Sequence, residues 1–185
     1  MSAQNAIFND LPNLTQLNLK RLSDAVKSVN PKDVRSWEIE IVALQEHSLK
    51  TLTDEISAWA GKSPCLYYFE ISQPIPSLEL VTNAFNSAKV DPQRSGLAYA
   101  RLNNSTGTCF YVGSSHSVAT RLKQHLGYGH KGTYALQLKH WAPNNLKLNL
   151  VCALYANGTT PEVLQCLEDS LWENKQPLFG RRGRK

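Results

Sequence analysis

Between residues 146 and 154, apolar side chains fill every second position: Leu146, Leu148, Leu150, Cys152 and Leu154 are separated by Lys147, Asn149, Val151 and Ala153. A period of two puts the first set on one face of an extended strand, so this segment requires a sheet with at least one face covered. The aromatic and branched run Cys65–Ser72 (CLYYFEIS) predicts a second strand. The runs LAYARLN (97–103) and TCFYVGS (108–114) predict two more, joined as a hairpin across Asn103–Gly107. Helices are predicted between them. One runs from Ser77 to Lys89, after a Pro-rich turn at 73–76, and ends before Asp91-Pro92. Another covers Ser117–Leu126, with Val118, Leu122 and Leu126 on one stripe, and a third covers Thr133–Trp141. The last starts at Thr160-Pro161-Glu162, with threonine at the cap and proline in the first turn, and runs to about Asn174. The fold class is α+β, with a small mixed or antiparallel sheet.

The first 60 residues predict helices. Leu14, Leu17, Leu22, Ala25, Val26 and Val29 recur at helical spacing up to Asn30-Pro31. A second helix is predicted over 36–59, where Val42, Leu49, Leu52, Ile56 and Trp59 form a seam with Gln45 interrupting it. Such a seam packs either on the chain's own core or on a second subunit. Gly61-Lys62-Ser63-Pro64 punctuates the chain. The boundary falls there, giving an accessory helical region at 1–61 and a second region at 62–185. No internal repeat is visible.

Cys65, Cys109, Cys152 and Cys166 lie far apart in apolar segments, with no C-x-x-C pair and no zinc-ligand spacing. They are expected to be small buried hydrophobes in a reducing compartment. No apolar run approaches the ~18–20 residues that span a bilayer, and the N-terminus has neither the basic start nor the apolar core of a signal peptide. A cytoplasmic protein without membrane contact is the expectation. Charge is uneven. Residues 1–100 hold 9 Lys/Arg against 11 Asp/Glu (−2), whereas residues 101–185 hold 11 against 4 (+7). The basic half suits either a polyanionic partner or a solvated surface, and charge alone does not decide between them.

Three polar residues stand out on the helical patterns. Arg121 and His125, four apart, share a helix face. Glu168 lies in line with Leu164 and Leu171, on or beside the apolar face of the last helix, where an ionised carboxylate requires a compensating charge. An Arg121–Glu168 structural ion pair would account for two of them without any chemistry.

Taken together with neighbouring residues, they form a pattern. Pro64-Cys65-Leu66-Tyr67, Tyr111-Val112-Gly113 with Ser114-Ser115, Arg121-Leu122 with His125, and Leu167-Glu168 with Leu171-Trp172 and Pro177 occur in that order. This series resembles the motifs of the GIY-YIG endonuclease superfamily over residues 64–180. The resemblance implies a small sheet with flanking helices and metal-dependent hydrolysis of DNA phosphodiester bonds with Mg²⁺ or Mn²⁺. By the same resemblance Glu168 would bind the metal and Arg121 would hold the scissile phosphate. Tyr67 and Tyr111 would flank the attacking water, with His125 assisting one of them. Lys123, Lys131, Arg181 and Arg182, together with Arg121, are candidate nucleic-acid contacts.

There are departures from the family pattern. Cys65 replaces a glycine, and Gly180 stands where many relatives have asparagine. Tyr67 and Tyr111 are 44 residues apart, with an insertion at about 74–107; Tyr99, only 12 before Tyr111, is the alternative first tyrosine. Glu173 lies on a different helix face and is a weaker metal candidate. An endonuclease of restriction or defence type, with a symmetric homodimer as one arrangement, leads the expectations. The alternatives are a repair or structure-specific nuclease working with a partner, a DNA-binding module without catalysis, and, last, a cysteine hydrolase. RNA stays open as a substrate.

Overall fold

The computed structural model describes residues 3–44, 46–72 and 78–183. Among them are four strands, β1 (Asp33–Glu40), β2 (Cys65–Ile71), β3 (Cys109–Ser115) and β4 (Lys147–Leu154). Five α-helices accompany them: α1 (Ala3–Ser28), α2 (Glu46–Ala60), α3 (Leu78–Val90), α4 (Val118–Leu126) and α5 (Pro161–Lys175). The strands form one sheet in the order β1-β4-β2-β3, every neighbouring pair antiparallel. The fold is therefore α+β, with an N-terminal helix preceding the sheet.

The alternation in β4 translates directly into burial. Leu148, Leu150, Cys152 and Leu154 are buried and the residues between them are half-exposed. In β2, Cys65, Tyr67 and Phe69 point to the same face, and the main core fills the space between that face and α2, α3 and α4. Leu66, with Tyr155 and Leu164, forms a smaller cluster on the opposite face, closed by Val29, Ala153, Leu167 and Leu171. The helix α5 lies over that second cluster, with Thr160 capping it by accepting from the Val163 N–H. The end of α1 packs against α5.

Three expectations are corrected. Residues 36–40 are not the start of a helix; they belong to β1, which pairs with β4 over its whole length from Asp33↔Leu154 to Glu40↔Lys147. The helical seam holds only from Glu46 onward. Trp37 and Ile39 are buried while Ser36 and Glu38 are exposed, a period of two too short to compete with the longer helical pattern. Residues on both sides of Gly61 thus share one sheet and one core. The α2 seam packs on that core through Leu49 and Ile56.

Residues 97–103 do not form a hairpin with β3. The segment 178–180 lies between the two expected arms: Leu178 and Phe179 donate to the carbonyls of Cys109 and Phe110, while Asn103 donates to Leu178 and Gly180 donates to Arg101. Tyr99 is held instead by a bridge to Ala135. Finally, residues 133–141 contain only a single 3₁₀ turn, Leu138–His140, because Gln137 adopts φ +57 and breaks any helix there. The turn expected at 73–76 lies outside the described residues.

The four cysteines are free thiols; Cys65, Cys109 and Cys152 are buried and Cys166 is half-buried. Burial pushes the Cys109 thiol up to about 12, which leaves it almost no nucleophilic thiolate at neutral pH.

Candidate active site

The edge strand β3 and its neighbour β2 build the floor of the site. Their register places Tyr67 opposite Gly113 and Phe69 opposite Tyr111. The Tyr67 hydroxyl crosses directly over Gly113. A Cβ at that glycine would lie 2.7 Å from the Tyr67 Oη and 2.9 Å from the Tyr111 Cε1. Only a residue without a side chain permits the two rings to meet there. They stack with centroids 6.3 Å apart and planes 18° from parallel. Of the two tyrosines offered by the sequence, Tyr67 is therefore the neighbour of Tyr111. Tyr99 packs edge-on against Phe85, with its hydroxyl buried and without a hydrogen-bond partner among the described residues.

The helix α4 brings its polar face onto these rings. It starts after Ser117 and is stopped by Gly127 at φ +90. Its apolar stripe of Val118, Leu122 and Leu126 is buried, which rotates Arg121 and His125 together toward the tyrosines. His125 is fully buried, 4.3 Å from the Tyr111 ring centroid and 5.9 Å from that of Tyr67. Its two nitrogens have different partners. The Leu136 N–H donates to Nδ1 at 3.3 Å, and Nε2 lies 3.1 Å from the Tyr67 Oη. Because Nδ1 accepts, the proton of the neutral ring sits on Nε2 and is donated to Tyr67. Burial, reinforced by the Arg121 charge, holds the imidazole well below its ordinary value and keeps it neutral.

Arg121 is tied down on three sides. It donates to Gln124 Oε1 at 2.7 Å, to the Tyr134 carbonyl at 2.9 Å and to the Tyr111 Oη at 3.4 Å. Burial pushes the Tyr67 phenol well above its usual range, with Tyr111 adding to the rise, whereas Arg121 pulls it back.

From the other side of β3, α5 supplies Glu168. The Ser114 hydroxyl donates to its Oε2 at 2.5 Å, and desolvation raises the carboxyl above its usual range while Ser114 opposes the rise. Among the described residues Glu168 forms no ion pair with Arg121, although the two feel each other's charge. A structural Arg–Glu bridge therefore does not explain them. Among the described residues the half-buried carboxylate has Ser114, through its hydroxyl and its backbone, as donor and no paired cation.

Among the described residues no group of three or more His, Cys, Asp or Glu side chains comes together. Among the described residues of the site, the carboxylate available to a cation is that of Glu168. That suits a hard divalent ion such as Mg²⁺ or Mn²⁺, which is commonly held by one or two carboxylates with the substrate's phosphate and water completing the shell.

The remaining predicted residues are scattered. Lys123 and Lys131 are exposed; Lys123 adds a little to the lowering of the Asp54 carboxyl on α2, which the Lys50 hydrogen bond dominates. Arg181 is exposed, and Arg182 is paired with Glu173 at 2.6 Å.

Several contributors were not legible in the sequence. Ser114 was part of a motif but had no assigned partner. Leu136 and Tyr134 act through their backbones. Gly180, at φ +106, lies against Tyr111, where a Cβ would be 3.0 Å from Cε2. Asn103 donates to the carbonyls of both Pro177 and Gly180 and so pins the segment behind Tyr111. Ser114 and Gly180 stood at motif positions and Asn103 in a loop rich in turn residues, whereas the backbone groups of Leu136 and Tyr134 carried no signal.

Compared with known proteins, the chain matches no family model, no curated protein and no solved structure.

Proposed function

We propose that this chain is a divalent-metal-dependent DNA endonuclease of the GIY-YIG kind. The observation that carries the reading is the meeting of Tyr67, Tyr111, Arg121, His125 and Glu168, contributed by β2, β3, α4 and α5, with Arg121 and Glu168 held unpaired on either side of the tyrosines. Three separate stretches of the sequence, β2, β3 with α4, and α5, converge there, and the arrangement leaves one fixed cation and one carboxylate without mutual neutralisation. A phosphodiester supplies what both lack: an anion for the guanidinium and an oxygen to share a cation with the carboxylate.

In this reading Arg121 holds the scissile phosphate and stabilises charge on its oxygens as water attacks. Its hydrogen bonds to Gln124 and Tyr134 fix the fork in advance, so little reorganisation is needed when the phosphate arrives. Tyr67 would accept the water's proton as its phenolate. Burial disfavours that form, with Tyr111 and Glu168 adding to the cost, while the Arg121 charge and the His125 Nε2–H favour it. His125 is a positioning residue and not the base, since its only unprotonated nitrogen is occupied by the Leu136 N–H. Tyr111 lines the other side of the water. Glu168 would hold Mg²⁺ or Mn²⁺, which would polarise the phosphoryl oxygen and add positive charge for the developing oxyanion.

Plasmid cleavage tests the reading. With Mg²⁺ or Mn²⁺ the wild type is expected to nick or linearise supercoiled DNA, and Glu168→Gln, folded by circular dichroism, is expected to lose at least about a hundredfold in rate. Absence of cutting by the wild type across plasmids of varied sequence and with both metals would remove the enzymatic reading. Retained binding would then leave a DNA-binding module.

A further inference from the structure

The segment after α4, residues 127–137, runs past the site and is more tightly held than its glycines suggest. The Ala98 N–H donates to the Lys131 carbonyl at 2.8 Å, the Ala100 N–H to the Ala135 carbonyl at 2.8 Å, and the Thr133 N–H to the His130 carbonyl at 3.0 Å. Gly129 presses against α4 so closely that a Cβ would lie 2.6 Å from the Gln124 Cγ. With the backbone fixed in this way, His130, Lys131 and Tyr134 face outward. The Tyr134 ring is 72% exposed, and its hydroxyl and ring have no partner among the described residues.

A single exposed aromatic is ordinary. Tyr134 differs in its attachment, because its own carbonyl is one of the three groups that fix Arg121. The ring therefore projects from the same residue that orients the phosphate-binding guanidinium, one side-chain length away. Two cations lie beside Tyr134: Arg121, which donates to its carbonyl, and the exposed Lys131. Lys131, three residues from Tyr134, forms no ion pair among the described residues. A rigid backbone, an unpartnered aromatic face and unpaired positive charge next to a phosphate site match a nucleic-acid strand, whose phosphates meet the cations and whose bases offer flat faces. They do not match an acidic protein surface, which would use the charges and leave the ring in water.

We propose that Tyr134 stacks on the nucleobase adjoining the phosphodiester held by Arg121, with Lys131 on a neighbouring phosphate. The inference rests on the nuclease reading and adds a preference to it. Stacking on a platform outside the duplex requires an unpaired or readily unstacked base, so the contact favours strands that are single, frayed or mismatched at the cut.

The test measures equilibrium binding of a fluorescein-labelled single-stranded oligonucleotide and of the matching duplex, in EDTA so that neither is cut. Removing the Tyr134 side chain leaves its carbonyl in place for Arg121, so the variant isolates the ring. Tyr134→Ala is expected to weaken single-strand binding by on the order of tenfold to a hundredfold, with a smaller loss on the duplex, and Tyr134→Phe is expected to stay within about twofold of wild type. Tyr134→Ala binding the single strand like wild type, Phe losing as much as Ala, or an equal loss on the duplex would each overturn the stacking contact. A folded wild type that binds neither probe would overturn the nuclease reading itself, an outcome distinct from the other three.

Discussion

At the scale of single residues, the site depends on side chains that are absent as much as on those present. Gly113 exists as a gap through which the Tyr67 hydroxyl reaches Tyr111 and His125. Replacing it by alanine places a methyl group 2.7 Å from that oxygen, against two rings that are themselves packed and cannot retreat. Gly113→Ala is expected to cost about 1–3 kcal/mol in urea unfolding and to reduce plasmid cleavage far more than that loss of stability would. An alanine variant as stable and as active as wild type would show that the tyrosines do not meet over this position. Ser114, next in the chain, contributes on the other face of the strand. A one-residue step along β3 moves from the glycine beneath the tyrosines to the hydroxyl that holds Glu168. The strand's period of two thus distributes the site over both faces of the sheet edge.

At the scale of elements, the segment between the two tyrosine motifs is part of the core and not an appendage. The helix α3 buries Val81, Phe85 and Ala88. Phe85 meets Tyr99, Trp141 and Phe179 edge-on at centroid distances of 5.6, 5.1 and 4.9 Å. Phe179 in turn belongs to the segment that lies behind Tyr111. Phe85→Ala is expected to destabilise the protein by about 3–5 kcal/mol, read from the shift in urea midpoint, because it opens a cavity at the junction of α3, the 3₁₀ turn at 138–140 and the 178–180 segment. A cost under about 1 kcal/mol would mean that α3 is peripheral after all. The strand β1 makes the same point at the opposite edge. Trp37 and Trp59 meet edge-on at 5.1 Å, their indole N–H groups donating to Glu55 and Asp33, so β1 and α2 are joined to each other as well as to the sheet.

At the scale of the whole molecule, the buried imidazole couples the site to stability. In the unfolded chain His125 takes up a proton as the pH falls through about 6.5, whereas in the fold burial and Arg121 hold it neutral well below that. Its contribution is therefore present above about pH 6.5 and is lost as the pH falls, with a slope of up to about 1.4 kcal/mol per pH unit for one proton. Of the groups facing it, Tyr67 is held well above its usual range by burial and Arg121 above its own, so neither changes charge there. Glu168 works in the opposite direction, since a raised carboxyl favours the fold once protonated, and a variant at His125 separates the two. Urea unfolding between pH 7.5 and 5 is expected to show a steep loss in wild type and a shallower one in His125→Gln, whatever that variant's absolute stability; parallel profiles would place the acid sensitivity elsewhere. No helix among the described residues is long and apolar enough to cross a membrane. Along α1, Leu11, Leu14, Leu17 and Leu19 remain exposed.

What the sequence determined by itself was local and periodic: the alternation of β4, the capped start of α5, the apolar stripe of α4 that turns Arg121 and His125 to one side, and the helical spacing of α1, α3 and the later part of α2. These follow from backbone geometry, which repeats every 2 or 3.6 residues regardless of what lies across the gap. Tertiary structure alone decided the pairings. It made 33–40 a strand by offering it the edge of β4, and split the expected 97–114 hairpin by laying 178–180 between its arms. It also chose Tyr67 over Tyr99 as the partner of Tyr111, since only Gly113 let a ring pass. Hydrogen-bonding edges and cross-strand space belong to two segments at once, so no single stretch of sequence can specify them.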